Sequence, residues 1–354
     1  MDAIRYAAAN ARIRGLYSRL LDEATWRELV AADGFEAAIS LLRATTYADI
    51  IMAAEQSGTF SLEQIERGLA GRAAADCRRA MAFTGGGTRA LLEVWWQHYE
   101  LENLKALFRG LDQNLAPTAI RGFLIPLGDD STLPWEALLH EHSVPSLVDR
   151  LHGTSYINPV RAALPVYQRD GSLFAIEIAL DIRYYRDLAS AIKNLAGTER
   201  VEASRILGTK LDMLNILWAF RYRVYYGLSA EEIVNYTLWQ AVRTDANLVR
   251  DIALGADPRS VLVRVWGEDV IDLSPFDDPD GEARMVVRLE LALQRHWWRL
   301  AKQRLGGYPL GLGILLAYLV LEEIEVLDLV TLLETKGMGW EPERASEYLV
   351  AVKE

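Results

Sequence analysis

The sequence predicts an all-α protein in which one helical unit is used three times, and three observations carry that expectation. Glu100, Asn103, Leu104 and Leu107 fall at i, i+3, i+4 and i+7, which is one stripe of a helix. The stripe returns as Asp212, Asn215, Ile216 and Ala219, and again as Glu325, Asp328, Leu329 and Leu332, at spacings of 112 and 113 residues. Composition agrees. A chain of 354 residues, 51% apolar and 25% charged and rich in Ala, Leu, Arg and Glu, buries a sizeable core and favours helix over sheet. Similarity at a fixed period is the signature of repeated structure, so the chain divides into helical modules over residues 1–112, 113–227 and 228–354.

In the first module, Ile4 to Leu21 reads as an Ala/Arg-rich helix. Asp22 to Ala31 is a second, ended by Ala32-Asp33-Gly34, and Phe35 to Leu42 is a third. Ser61 with Glu63-Gln64 reads as a capping box, in which a hydroxyl and a side chain further on satisfy orphan N–H groups; that helix runs to about Met81. Gly85-Gly86-Gly87 then turns the chain into the helix of Glu100. The second module repeats the plan, with Trp135 and Tyr156 each 109 residues after Trp26 and Tyr47. Phe174 to Ile192 is its long helix, and a turn at Gly197 leads to the helix of Asp212. In the third, Asp257 to Gly267 replaces the piece ending in Tyr47, with Thr and Tyr gone. Leu289 to Leu300 aligns on Ile176 to Asp187 at an offset of 113, and Gly306-Gly307 precedes the last helix.

Several chemistries find no support. A net charge of −11 argues against general affinity for nucleic acid or anionic membrane, since both need basic surface. The single Cys77 cannot form an internal disulfide, so a reducing compartment is the default. Met1 to Leu21 is broken by Asp2, Arg5, Arg12, Arg14 and Arg19, unlike a signal peptide, and the apolar run Tyr308 to Leu321 is too short to span a bilayer. Gly85 to Ala90 fits G-x-G-x-x-A, but a dinucleotide site needs a strand before it, and Arg78 to Phe83 continue a helix. The acidic stretch Glu268 to Glu282 has Phe276 and Val287 where a calcium loop needs acids, so it reads as a solvated loop. His140-Glu141-His142 lacks a third ligand at metal spacing and reads as a surface helix end. Trp95-Trp96, Tyr184-Tyr185 and Trp297-Trp298 read as core. No catalytic residue, cofactor or metal is expected.

What remains is the repeated carboxylate followed by an amide or acid: Glu100 with Asn103, Asp212 with Asn215, Glu325 with Asp328. Arg109 and Arg221 follow the first two. Charge on an apolar stripe is costly to bury unless it is paired or wet. Three readings stay open: the carboxylates bond neighbouring helices and fix how the modules pack, they line a common socket around a pseudo-threefold axis, or they hold a cation together.

The triple arrangement, with Leu101-Glu-Asn-Leu-Lys-Ala-Leu-Phe-Arg109, Leu-Leu-x-x-Thr-x-Tyr47 and the closing Glu325 to Gly337, resembles the C subunit of prokaryotic A/V-type rotary ATPases, whose eukaryotic counterpart is the d subunit. The resemblance spans nearly the whole chain. The third repeat departs from it, with Glu334 where the first two have Arg109 and Arg221. The resemblance implies a funnel-like, all-helical, non-catalytic adaptor that couples the rotor shaft to the membrane proteolipid ring, with nucleotide sites on other subunits. It also implies a peripheral place on the cytoplasmic face, held through protein contacts. The competing reading is a freestanding helical-repeat scaffold for another protein partner.

Overall fold

The computed structural model describes residues 2–56, 60–277, 281–307 and 311–351, and among them every regular element is helical. Residues 278–280 of the acidic stretch and 308–310 of the apolar run lie outside the described residues. The helices are α1 (Asp2–Tyr17), α2 (Glu23–Ala31), α3 (Gly34–Leu42), α4 (Ala48–Gln56), α5 (Leu62–Met81), α6 (Gly86–Asp112), α7 (Pro117–Phe123), α8 (Trp135–Leu139), α9 (Val144–Arg150) and α10 (Ile157–Asp170). They continue as α11 (Phe174–Lys193), α12 (Gly197–Val224), α13 (Ala230–Asn235), α14 (Ala246–Ala253), α15 (Pro258–Trp266), α16 (Glu282–Leu305), α17 (Leu312–Gly337) and α18 (Pro342–Glu347).

Local chemistry sets many of the starts. Asp22 accepts from the Thr25 amide at 2.8 Å, and Asp245 accepts from that of Leu248 at 2.8 Å, each satisfying an orphan donor of the first turn. Ser143 with Ser146 and Ser229 with Glu232 form reciprocal capping boxes. Ser61 does stand at the N-cap of α5, but its side chain makes no cap hydrogen bond, so the capping box expected there is corrected. Gly86 and Gly197 open α6 and α12 with φ of +56° and +53°, a left-handed turn that suits glycine. The third such turn falls at Gly311, with φ +147°, whereas Gly306 closes α16. A helix, α5, precedes Gly85, so this glycine turn lacks the strand of a dinucleotide site.

Six long helices dominate the packing. α5 pairs with α6, α11 with α12, and α16 with α17; between these hairpins α6 meets α11, α12 meets α16, and α17 returns to α5. The six close a circuit. Helices α6, α12 and α17 bury residues on all sides because neighbours flank them twice, which is why their polar stripes end up inside. A second core cluster packs Trp26, Leu29, Ile39, Leu42 and Ile51 from α2–α4 onto Leu329, Leu332 and Leu333 of α17. The start of the chain therefore packs on its end.

Candidate functional site

The repeated carboxylates sit where one repeat meets the next. Glu100 is 1% exposed and accepts from Ser131 Oγ at 2.6 Å, the Thr132 amide at 2.9 Å and the Tyr156 hydroxyl at 2.8 Å. Asp212, also 1% exposed, takes the amides of Val242, Arg243 and Thr244 at 3.0, 2.8 and 2.9 Å on Oδ1, together with the Thr244 hydroxyl at 3.0 Å. Glu325, 6% exposed, accepts from the Leu21 amide at 3.0 Å and the Tyr47 hydroxyl at 2.6 Å. Burial raises Asp212 above the usual carboxylate range and pushes Glu325 up to about 7, the hydrogen bonds opposing it in both.

One turn further on, a second grip repeats. Asn103 holds Ile125 by both backbone groups, Nδ2 to its carbonyl at 2.9 Å and Oδ1 from its amide at 2.6 Å. Asn215 does the same to Leu238, at 3.2 and 2.8 Å. Asp328 has no donor, and instead accepts the amides of Val350 and Ala351, both at 2.8 Å; burial pushes it up to about 6. Arg109 and Arg221 lie nearer the surface and reach across to the following long helix, to Glu177 at 2.5 Å and Glu290 at 2.6 Å. In the third repeat Glu334 takes their place and faces Glu66, whose carboxyl is raised first by burial and then by Glu334.

A hydrated wall shared by the three carboxylates is therefore corrected: each is at most 6% exposed, and amide and hydroxyl donors take both oxygens of Glu100 and Glu325 and Oδ1 of Asp212. Among the described residues no group of three or more His, Cys, Asp or Glu is placed to hold a metal ion, so these acids do not gather around a cation. What the arrangement does chemically is tie loops and short helices to a long helix. Burying the charge is tolerable because donors replace its water.

The tyrosines are what sequence reasoning missed. Tyr47 and Tyr156 donate to Glu325 and Glu100, and Arg72 and Arg183 cover their rings at 4.5 and 4.7 Å. A signal was present: the longer Glu occurs where the next repeat around the circuit has a Tyr, and the shorter Asp212 where that repeat has lost it.

Further charges bridge the long helices. Lys105 Nζ of α6 lies 3.0 Å from Glu102 and 2.5 Å from Asp181 of α11, and Lys210 Nζ of α12 lies 2.6 Å from Glu323 of α17. Burial pushes Asp181 up to about 6 against the pull of Lys105. Lys210 also stands between Trp95 and Trp297, at 4.9 and 4.7 Å from the ring centres. No helix among the described residues is long and apolar enough to cross a membrane.

Comparison with known proteins adds a full-length likeness. The family model for the ATP synthase (C/AC39) subunit matches residues 9–348. The A-type ATP synthase C subunit of Methanocaldococcus jannaschii is 23% identical, covering 99% of this chain and 88% of its own. That of Methanothermobacter thermautotrophicus is 25% identical over 99% and 89%, and that of Halobacterium salinarum 24% over 98% and 97%.

Proposed function

Since this chain belongs to the ATP synthase (C/AC39) subunit family, we propose that it is a non-catalytic connector of a rotary ATPase, joining the rotor shaft to the proteolipid ring at the cytoplasmic face. In this reading the three repeats are three modules around a pseudo-threefold axis, forming a funnel-like socket. The buried positions Glu100, Asn103, Asp212, Asn215, Glu325 and Asp328 are the struts between modules and not the socket's wall. The charged side chains nearer the surface, Arg109 and Arg221 with Glu102 and Asp181, face the shaft.

The observation that carries this reading is the circuit of six long helices that closes on itself through buried hydrogen bonds. A part that passes torque between two others must resist shear between its own pieces. Buried, hydrogen-bonded polar grips at every junction do that better than apolar contact alone, because they fix register. The test is reconstitution of this chain with shaft subunits and with detergent-solubilised proteolipid ring. A complex containing both partners is expected, weakened at least tenfold on the shaft side by Arg109→Glu with Arg221→Glu. Stable folding with no binding to either partner would sink the connector and leave a freestanding scaffold.

A further inference from the structure

The cleft between α12, α15 and α16 gathers charge that no role described above uses. It encloses about 380 Å³, with Arg205, Arg243, Arg299 and Gln303 around it, and the rings of Trp266 and His296, 5.2 Å apart, on one wall. The chain carries 49 acidic residues against 38 basic ones, so three guanidinium groups about one cavity run against its overall balance. Neither Arg205 nor Arg243 forms an ion pair among the described residues, and both are exposed. Arg243 Nη1 donates to the Val265 carbonyl at 3.0 Å, which steadies its fork without neutralising it. The acid lining the cleft, Asp212, is buried, and its Oδ1 is given to the 242–244 amides.

We propose that this cleft binds a small molecule bearing a phosphate or pyrophosphate group. Like cations held around one cavity repel each other, and a multivalent oxyanion relieves that repulsion. A guanidinium fork matches two phosphate oxygens at once, and the Gln303 amide offers a neutral donor beside it. The Trp266 and His296 rings, tilted 52° to each other, offer ring surface for the body of such a molecule, and the volume lies in the range of small-ligand sites. His296 reports the local field. Burial first, and then the charges of Arg299 and Arg243, hold it down at about 4, although a hydrogen bond with the Val270 backbone opposes them.

The phosphate could belong to a soluble compound or to a lipid headgroup, and two probes separate these sources. Titration calorimetry with pyrophosphate, at ionic strength held constant with chloride, should show saturable binding that the Arg205→Gln/Arg243→Gln double variant weakens at least tenfold. Arg205→Gln alone, at an exposed side chain with no hydrogen bond of its own, should weaken it at least threefold with an unchanged melting temperature. Sedimentation with phosphatidic acid vesicles is the second arm. Vesicle binding without pyrophosphate binding, lost in the same variants, assigns the site to a headgroup. Binding of neither probe, or equal binding by the folded Arg205→Gln protein, overturns the proposal.

Discussion

The junctions α6/α11 and α12/α16 differ from the closing junction, α17/α5, in the sign of one side chain. At the first two, Arg109 and Arg221 reach Glu177 and Glu290. At the third, Glu334 stands opposite Glu66, so a contact that attracts twice repels once. Closure there rests on other bonds. Lys336, 4% exposed, donates to the Val30 and Ala32 carbonyls at 2.7 and 2.6 Å and so satisfies the end of α2. Glu325, also of α17, accepts from the Leu21 amide and the Tyr47 hydroxyl. The same backbone plan thus tolerates opposite electrostatics, because a half-exposed ion pair contributes little beside a buried, satisfied grip.

The largest expected effect tests that ranking. Glu100→Ala strands the Thr132 amide and the Ser131 and Tyr156 hydroxyls, and Asp212→Ala strands three amides. Each should cost roughly 3 kcal/mol in urea denaturation, because several hydrogen bonds to one buried carboxylate are lost together. A loss under about 1 kcal/mol would mean that water reaches these sites.

A smaller effect separates the junctions by pH. Glu325 holds its proton up to about 7 in the folded chain, against a usual 4.5. Its stabilising contribution is thus complete below pH 4.5 and fades as the pH rises through 7. Asp328, held up at about 6, has the same sign, whereas His296, held down at about 4, works the other way below 6.5. Replacing Glu325 by Gln keeps an acceptor for Leu21 and Tyr47 and removes the titration. The fall in stability between about pH 5 and pH 8 should shrink by roughly 2 kcal/mol in Glu325→Gln. An unchanged slope would show that the closing junction does not titrate.

The smallest effects come from the charges themselves. Glu334→Arg gives the third junction the cation of the other two and should add about 0.5 kcal/mol; Arg109→Glu should cost about as much. Chemical denaturation at low and high salt checks both, since screening should shrink each difference. If Arg109→Glu instead cost as much as Glu100→Ala, the ranking of buried grips over half-exposed pairs would be wrong.

Much of the helix plan was legible in the chain: α2, α3, α5, α11 and α12 lie within a few residues of where periodicity places them. α4 was passed over because Ala48–Gln56 is short and carries no cap signal, and α10 because Pro165 interrupts its pattern. Ser61 shows the reverse failure, a cap motif whose hydroxyl makes no cap bond.

By itself, the sequence determined that three carboxylates share one helical position and that the helices bearing them repeat every 112 to 113 residues. A stripe says which side chains share a face, since about 3.6 residues complete a turn. It does not say what covers that face. Only the tertiary structure decided that α6, α12 and α17 are flanked on both sides, which leaves buried acids where the stripe alone allowed a wet wall. It also decided that the donors for Glu325 come from Leu21 and Tyr47, 304 and 278 residues away. Partnership across such distances is set by how the whole chain closes, because a carboxylate takes whichever donors the packed neighbours bring to it and leaves no trace of them in its own periodicity.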